Sequence, residues 1–252
     1  MSATVVLVHA FPLDHRMWTV QEDALRGAGV RVLAPDLPGF GGTPLVAQQP
    51  DLGVVASSVL DDLAAQGVDR AIIAGLSLGG YVAMAMMRIR PQLFDAVMLC
   101  DTKASADTPE AYANRMRLAQ AVTEEPAASG RILRQAVLPG LLGPTTHASR
   151  PGVVAQVAGW LDESPPAAVA WYQRAMAERP DSHPTLRALD APALVLWGDE
   201  DALSPESEQQ SMLGALSNGH HAVIAGAGHL SAVEQPAGVS EALLQFVSTV
   251  QG

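Results

Sequence analysis

Apolar and β-branched residues gather in short runs at 4–8, 30–34, 71–75 and 96–100, each of the length of a strand. Between these runs the period changes. Val55, Val59, Leu60 and Leu63 recur at helical spacing within 52–66, which closes near Gly67, and residues 78–90 keep a helical pattern until Pro91 stops it. Strands that alternate with helices in this way predict a parallel sheet.

From residue 102 to about 189 the alternation stops and no convincing strand is found. Helices are predicted from the start Asp107-Thr108-Pro109-Glu110, over 127–142, over 152–162, and over 165–178 with Ser164 as cap. Pro126, Gly140, Gly143-Pro144, Pro151, Pro165-Pro166 and Pro180 punctuate this part of the chain. Strand-like runs resume at 193–197 and 221–225, and a last helix is expected at 235–250. The expected organisation is a core of residues 1–101 and 190–252 with a helical cap at 102–189.

Composition narrows the picture without changing it. The run 71–87 carries no charge, but it is at the short limit for a membrane span and the rest of the chain is not membrane-like. With 48% hydrophobic and 16% charged residues, 252 residues suffice for one sizeable α/β domain with an insertion. A net charge of −11 argues against a nucleic-acid partner, since phosphate contacts need clustered Lys and Arg. Cys100 is the only cysteine, which excludes an intrachain disulfide and a multi-cysteine metal site; its apolar neighbours predict a buried thiol. Residues 4–8 enter a strand with no secretory pattern before them, so a cytoplasmic location is expected.

The chemistry gathers around Ala74-Gly75-Leu76-Ser77-Leu78-Gly79-Gly80, where an apolar run ends in a serine bracketed by glycines. Gly75 and Gly79 sit two residues on either side of Ser77, where side chains would collide across a sharp strand-to-helix turn. Such a turn lifts Ser77 Oγ above the sheet as a candidate nucleophile, and it leaves the Leu78 N–H free to stabilise an oxyanion. A serine needs a base, and the base needs an orienting acid. Run 193–197 leads into Asp199, Glu200 and Asp201, and run 221–225 leads into Gly226-Ala227-Gly228-His229. Both loops fall on the sheet edge that carries Ser77.

The order Ser, Asp, His, together with His9-Ala10-Phe11-Pro12 and Asp36-Leu37-Pro38-Gly39-Phe40-Gly41, resembles the α/β-hydrolase fold superfamily over nearly the whole chain. The similarity is greatest to its small esterase, enol-lactonase and cofactor-free haloperoxidase branch. The resemblance implies a mostly parallel sheet flanked by helices. By position it assigns Ser77 as nucleophile, Asp201 as acid, His229 as base, and the N–H groups of Phe11 and Leu78 as oxyanion donors. The usual glycine after the first-strand histidine is replaced by Ala10. The implied activity is cleavage of a small carboxylic ester or lactone through an acyl-enzyme, without a cofactor. Transfer of the acyl group to another acceptor and a non-catalytic binding protein are the rival readings.

Asp199 and Glu200 are expected in the turn or facing solvent, and Asp101 as a helix-cap or turn residue entering the insertion, or as a pocket-lining acid. His9 is expected to hold the oxyanion loop, while His15, His147 and His183 are expected at the surface. His220 and His221 point to opposite faces of a strand, so no metal is expected. Tyr81, Met84 and Met87, on the helix after the serine, are assigned to the core, Trp18 is a substrate contact or a core residue, and Phe11 is placed at the pocket mouth. Met116, Leu138, Leu142, Trp160, Trp171 and Tyr172 are candidates for an apolar lid or for helix packing. The small-molecule acyl substrate is the only partner the sequence implies.

Overall fold

Strands that are apolar on both faces can be satisfied only by a sheet covered on both sides. The computed structural model describes residues 4–251 and shows such a sheet. Its strands are β1 (Thr4–Val8), β2 (Arg31–Leu33), β3 (Ala71–Leu76), β4 (Phe94–Cys100), β5 (Ala193–Gly198) and β6 (Gly219–Ile224). They are parallel throughout and lie in the order β2-β1-β3-β4-β5-β6. Every residue of β3 and of β5 is buried. The chain therefore has the α/β-hydrolase fold, and the loops after β3, β4, β5 and β6 emerge on one edge.

The helices of the core are α1 (Thr19–Gly27), α2 (Leu52–Ala65) and α3 (Leu78–Ile89), each between successive strands. Between β4 and β5 lie α4 (Pro109–Glu124), α5 (Ser129–Ala136), α6 (Leu138–Leu141), α7 (Pro144–Ser149), α8 (Pro151–Glu163), α9 (Pro166–Ala177) and α10 (His183–Arg187). The chain ends with α11 (Glu206–Ala215), α12 (Ser231–Glu234) and α13 (Pro236–Gln251). The uncharged run 71–87 is β3 followed by α3, and among the described residues no helix is long and apolar enough to cross a membrane.

Two helix expectations need correction. The single helix over 127–142 is broken at Val137 into α5 and α6, because Pro139 cannot continue the ladder begun by α5. Ser164 does not cap α9. Its hydroxyl donates to the carbonyls of Pro12 at 2.6 Å and Trp160 at 2.9 Å, and Pro165, held extended by Pro166, is the cap residue. The short helices α7 and α10, which the sequence pattern left unassigned, each begin with proline in the first turn.

Helices α4 and α9 pack together, and a buried ionic cluster ties them to the core. Asp107 accepts from Arg115 at 2.5 Å and from Arg179 at 2.6 Å, and the Arg179 guanidinium lies 4.2 Å from the centre of the Tyr81 ring. Burial pushes the Asp107 carboxyl up, but the charges and hydrogen bonds of Arg115 and Arg179 outweigh it and hold the group below its usual range.

Candidate active site

Ser77 sits between β3 and α3 with φ 54° and ψ −109°, a backbone region that a non-glycine residue enters only when its surroundings impose it. Those surroundings are visible in the flanking glycines. A Cβ on Gly75 would overlap the carbonyl of Gly79, and a Cβ on Gly79 would overlap the carbonyl of Val8 at the end of β1. The helix start is thus pressed against two strands, and the turn projects Ser77 outward. Thr102 Oγ1 donates to the Ser77 carbonyl at 2.8 Å and fixes the turn from the β4 side.

His229 and Asp201 converge on that hydroxyl. Ser77 Oγ donates to His229 Nε2 at 2.7 Å, and His229 Nδ1 donates to Asp201 Oδ2 at 2.9 Å and Oδ1 at 3.0 Å. Asp201 also accepts from the N–H groups of Leu203 (2.8 Å) and Ser204 (3.1 Å) and from the Ser204 hydroxyl. Burial pushes the Asp201 carboxyl up, but the His229 charge and these hydrogen bonds prevail and bring it down to about 2. Asp201 is thus a carboxylate with its lone pairs occupied.

Asp199 and Glu200 are turned away from His229. Asp199 accepts from the Gly226 N–H at 2.7 Å, and Glu200 accepts from the N–H (2.9 Å) and hydroxyl of Thr145. Asp101 is a turn residue, in the bend that follows β4 and enters the insertion. It neither caps a helix nor lines the cavity at Ser77; it is fully buried with φ 43° and accepts from Gly198 N–H at 2.8 Å and from the N–H (3.2 Å) and hydroxyl of Ser231. Burial first, and then the nearby Asp201 charge, push its carboxyl well above the usual range. Asp101 ties the end of β5 to the segment after His229.

His9 holds the loop after β1. Its Nδ1 donates to the Ala10 carbonyl at 3.0 Å and its Nε2 accepts from Leu37 N–H at 2.9 Å, so the bonding fixes the tautomer. Burial lowers its pKa and keeps the ring neutral. Ala10 does not adopt a positive φ, so glycine is not required there. Within the protein the N–H groups of Phe11 and Leu78 make no hydrogen bond, among the described residues.

Ser77 and His229 open into a cavity of about 640 Å³. Phe11 lines it, as expected. Tyr81, assigned to the core by its helical spacing, lines it too. None of the six lid candidates does: the apolar wall is formed by Leu118, Ile132, Val137, Leu141, Met176 and Leu203, while Tyr172 packs on Phe40 and Trp171 donates to the Gln48 carbonyl. Glu234 went unread as well. Its carboxylate accepts from the N–H groups of Gly143 (2.8 Å), Gly228 (2.9 Å) and Leu230 (3.2 Å), and no local capping pattern points to it, since Ser231 is the first residue of α12 and gives its N–H and hydroxyl to Asp101. His220 and His221 contact different partners, Phe246 and Trp197. Among the described residues, Asp14, His15 and Asp36 bring three possible ligand atoms together, but Asp14 is paired with Arg16 and Asp36 accepts from His15.

The alpha/beta hydrolase family pattern matches residues 5–242, and the chain belongs to that family. It is 29% identical over 253 residues to the biotin biosynthesis bifunctional protein BioHC of Cellvibrio japonicus, covering 98% of this chain but only 48% of that protein. It is 28% identical over 248 residues to a pimeloyl-[acyl-carrier protein] methyl ester esterase of Aromatoleum aromaticum, covering 92% of this chain and 93% of the relative. Among solved structures, a malate-bound thermophilic esterase from Thermogutta terrifontis superposes with a TM-score of 0.94 at 36% identity, covering 100% of this chain and 92% of that one.

Proposed function

We propose that the protein is a serine hydrolase that cleaves a small carboxylic ester or lactone through an acyl-enzyme. The observation that carries this reading is the unbroken relay from Ser77 Oγ through His229 to Asp201, with both links at hydrogen-bond distance. Ser77 Oγ attacks the acyl carbon while His229 Nε2 takes its proton, and Asp201 stabilises the imidazolium and keeps Nδ1 protonated. The N–H groups of Phe11 and Leu78, which have no acceptor among the described residues, hydrogen-bond the oxyanion. His229 then protonates the leaving alcohol. Water, deprotonated by His229, attacks the acyl-enzyme, releases the acid and restores Ser77.

The similarity to two esterases supports the choice of carboxylic esters within the family. Residues 102–189 act in this reading as a cap that shapes the pocket, and the mechanism needs neither a cofactor nor a metal. Neither nucleic acid nor a membrane surface enters the reaction, and the single buried cysteine accords with a cytoplasmic setting. A panel of aryl esters of increasing acyl length, with several lactones, tests the proposal. The wild type is expected to hydrolyse short members, and Ser77→Ala to lose the activity while keeping its circular dichroism and melting temperature. Equal activity in the two proteins would refute the assignment.

A further inference from the structure

Lys103 is the only lysine in the chain, and it lines the cavity that holds Ser77 and His229. It follows Thr102, whose hydroxyl holds the Ser77 carbonyl, so the β4 loop carries it into the same cavity as the reacting serine. The other charged groups of the cavity wall are already engaged. Asp107 is shared by Arg115 and Arg179, Arg115 also donates to Gln173 at 3.3 Å, and Arg117 donates to Asn114. The Lys103 ammonium makes no hydrogen bond or ion pair with any described residue.

The balance of charge in this cavity runs against that of the protein. The chain has 26 acidic and 15 basic side chains, yet the cavity wall has Lys103, Arg115 and Arg117 against the single carboxylate Asp107. An unpaired, half-buried ammonium is a costly feature unless an anion completes it, and a free charged donor adds most where the partner is also charged. The apolar wall of the same cavity, with Leu118, Ile132, Val137 and Leu141, suits a methylene chain rather than a second polar group.

We infer that Lys103 selects an acyl substrate with a carboxylate at its far end, so that the preferred substrates are half-esters of short dicarboxylic acids. The inference rests on the esterase reading above and specifies its substrate class. The acyl carbon sits at Ser77, the methylene chain lies along the apolar wall, and the terminal carboxylate pairs with Lys103. Hydrolysis then adds one water to the half-ester and releases a dicarboxylate, an alcohol and a proton.

Monoethyl adipate and ethyl hexanoate share their ester end and chain length and differ only in a terminal carboxylate or methyl group. The diagnostic quantity is the ratio of their kcat/KM values, which cancels any loss of folded enzyme. Lys103→Met is expected to lower this ratio by about tenfold or more, chiefly through KM for the half-ester, and Lys103→Arg to restore most of it. An unchanged ratio in Lys103→Met, or a wild type that turns over ethyl hexanoate but not monoethyl adipate, would overturn the inference while leaving the esterase reading in place. If the wild type hydrolysed neither ester, the esterase reading would fail instead. Calorimetric titration of Ser77→Ala with monoethyl adipate would still decide the role of Lys103: weaker binding in Ser77→Ala/Lys103→Met supports it, and equal binding overturns it.

Discussion

Glu234 grips the chain on both sides of His229, accepting the N–H of Gly228 at 2.9 Å and that of Leu230 at 3.2 Å on one carboxylate oxygen. Its other oxygen accepts the Gly143 N–H from the helical segment at 2.8 Å. The buried carboxylate therefore sets the position of the imidazole and joins it to the wall of the cavity. Glu234→Gln keeps the shape but replaces one acceptor oxygen by a donor group facing an N–H. A fall of about tenfold in kcat and a lower melting temperature are expected, since leaving a buried donor unpaired costs about 1–3 kcal/mol. Kinetics measured well below the melting temperature separate the two effects; unchanged kcat would show that Glu234 does not position His229.

Asp201 carries a prediction for activity and another for acid stability. Asp201→Asn removes the acceptor that holds His229 Nδ1 in its protonated form, and kcat should fall by about 10⁴ with the fold retained. Its carboxyl lies at about 2 in the folded protein against an ordinary value of 3.8. A depressed folded-state pKa contributes stability that is full above about pH 4 and is lost as pH falls through about 2, amounting to about 2 kcal/mol. Urea unfolding of wild type and Asp201→Asn as a function of pH checks this. The difference between them should shrink in that acid window; a difference independent of pH would contradict the assigned ionisation.

The glycine bracket around Ser77 makes a steric prediction. Gly79→Ala places a methyl group against the backbone carbonyl of Val8, which cannot move without disturbing β1. A destabilisation of about 3 kcal/mol or more is expected by thermal or denaturant unfolding, at the upper end for overpacking. A variant as stable as wild type would show that the turn has more room than the structure indicates.

The relay was legible in the sequence because each member follows a strand and is framed by local chemistry. Glycines flank Ser77, Gly198 begins the acid loop, and Gly226-Ala227-Gly228 leads into His229. Parallel topology then brings three distant loops to one edge without further information. The cavity wall was not legible in that way. Which side of a cap helix faces Ser77 depends on how α4, α5 and α9 dock, so Leu118 and Met176 line the cavity while Met116 and Tyr172 do not. Tyr81 shares the helical spacing of the core methionines yet reaches the cavity under Arg179. No sequence motif marks Lys103, since its lack of a partner among the described residues is a property of the folded neighbourhood alone.

The central claim is that Ser77 is the activated nucleophile, and intact-protein mass spectrometry after exposure to a fluorophosphonate, which phosphonylates such a serine with loss of fluoride, tests it most directly. One adduct per chain is expected, mapping to the peptide that contains Ser77, absent from Ser77→Ala and formed far more slowly in His229→Ala. An adduct formed equally on Ser77→Ala, or no adduct on a wild-type protein that hydrolyses esters, would contradict the account.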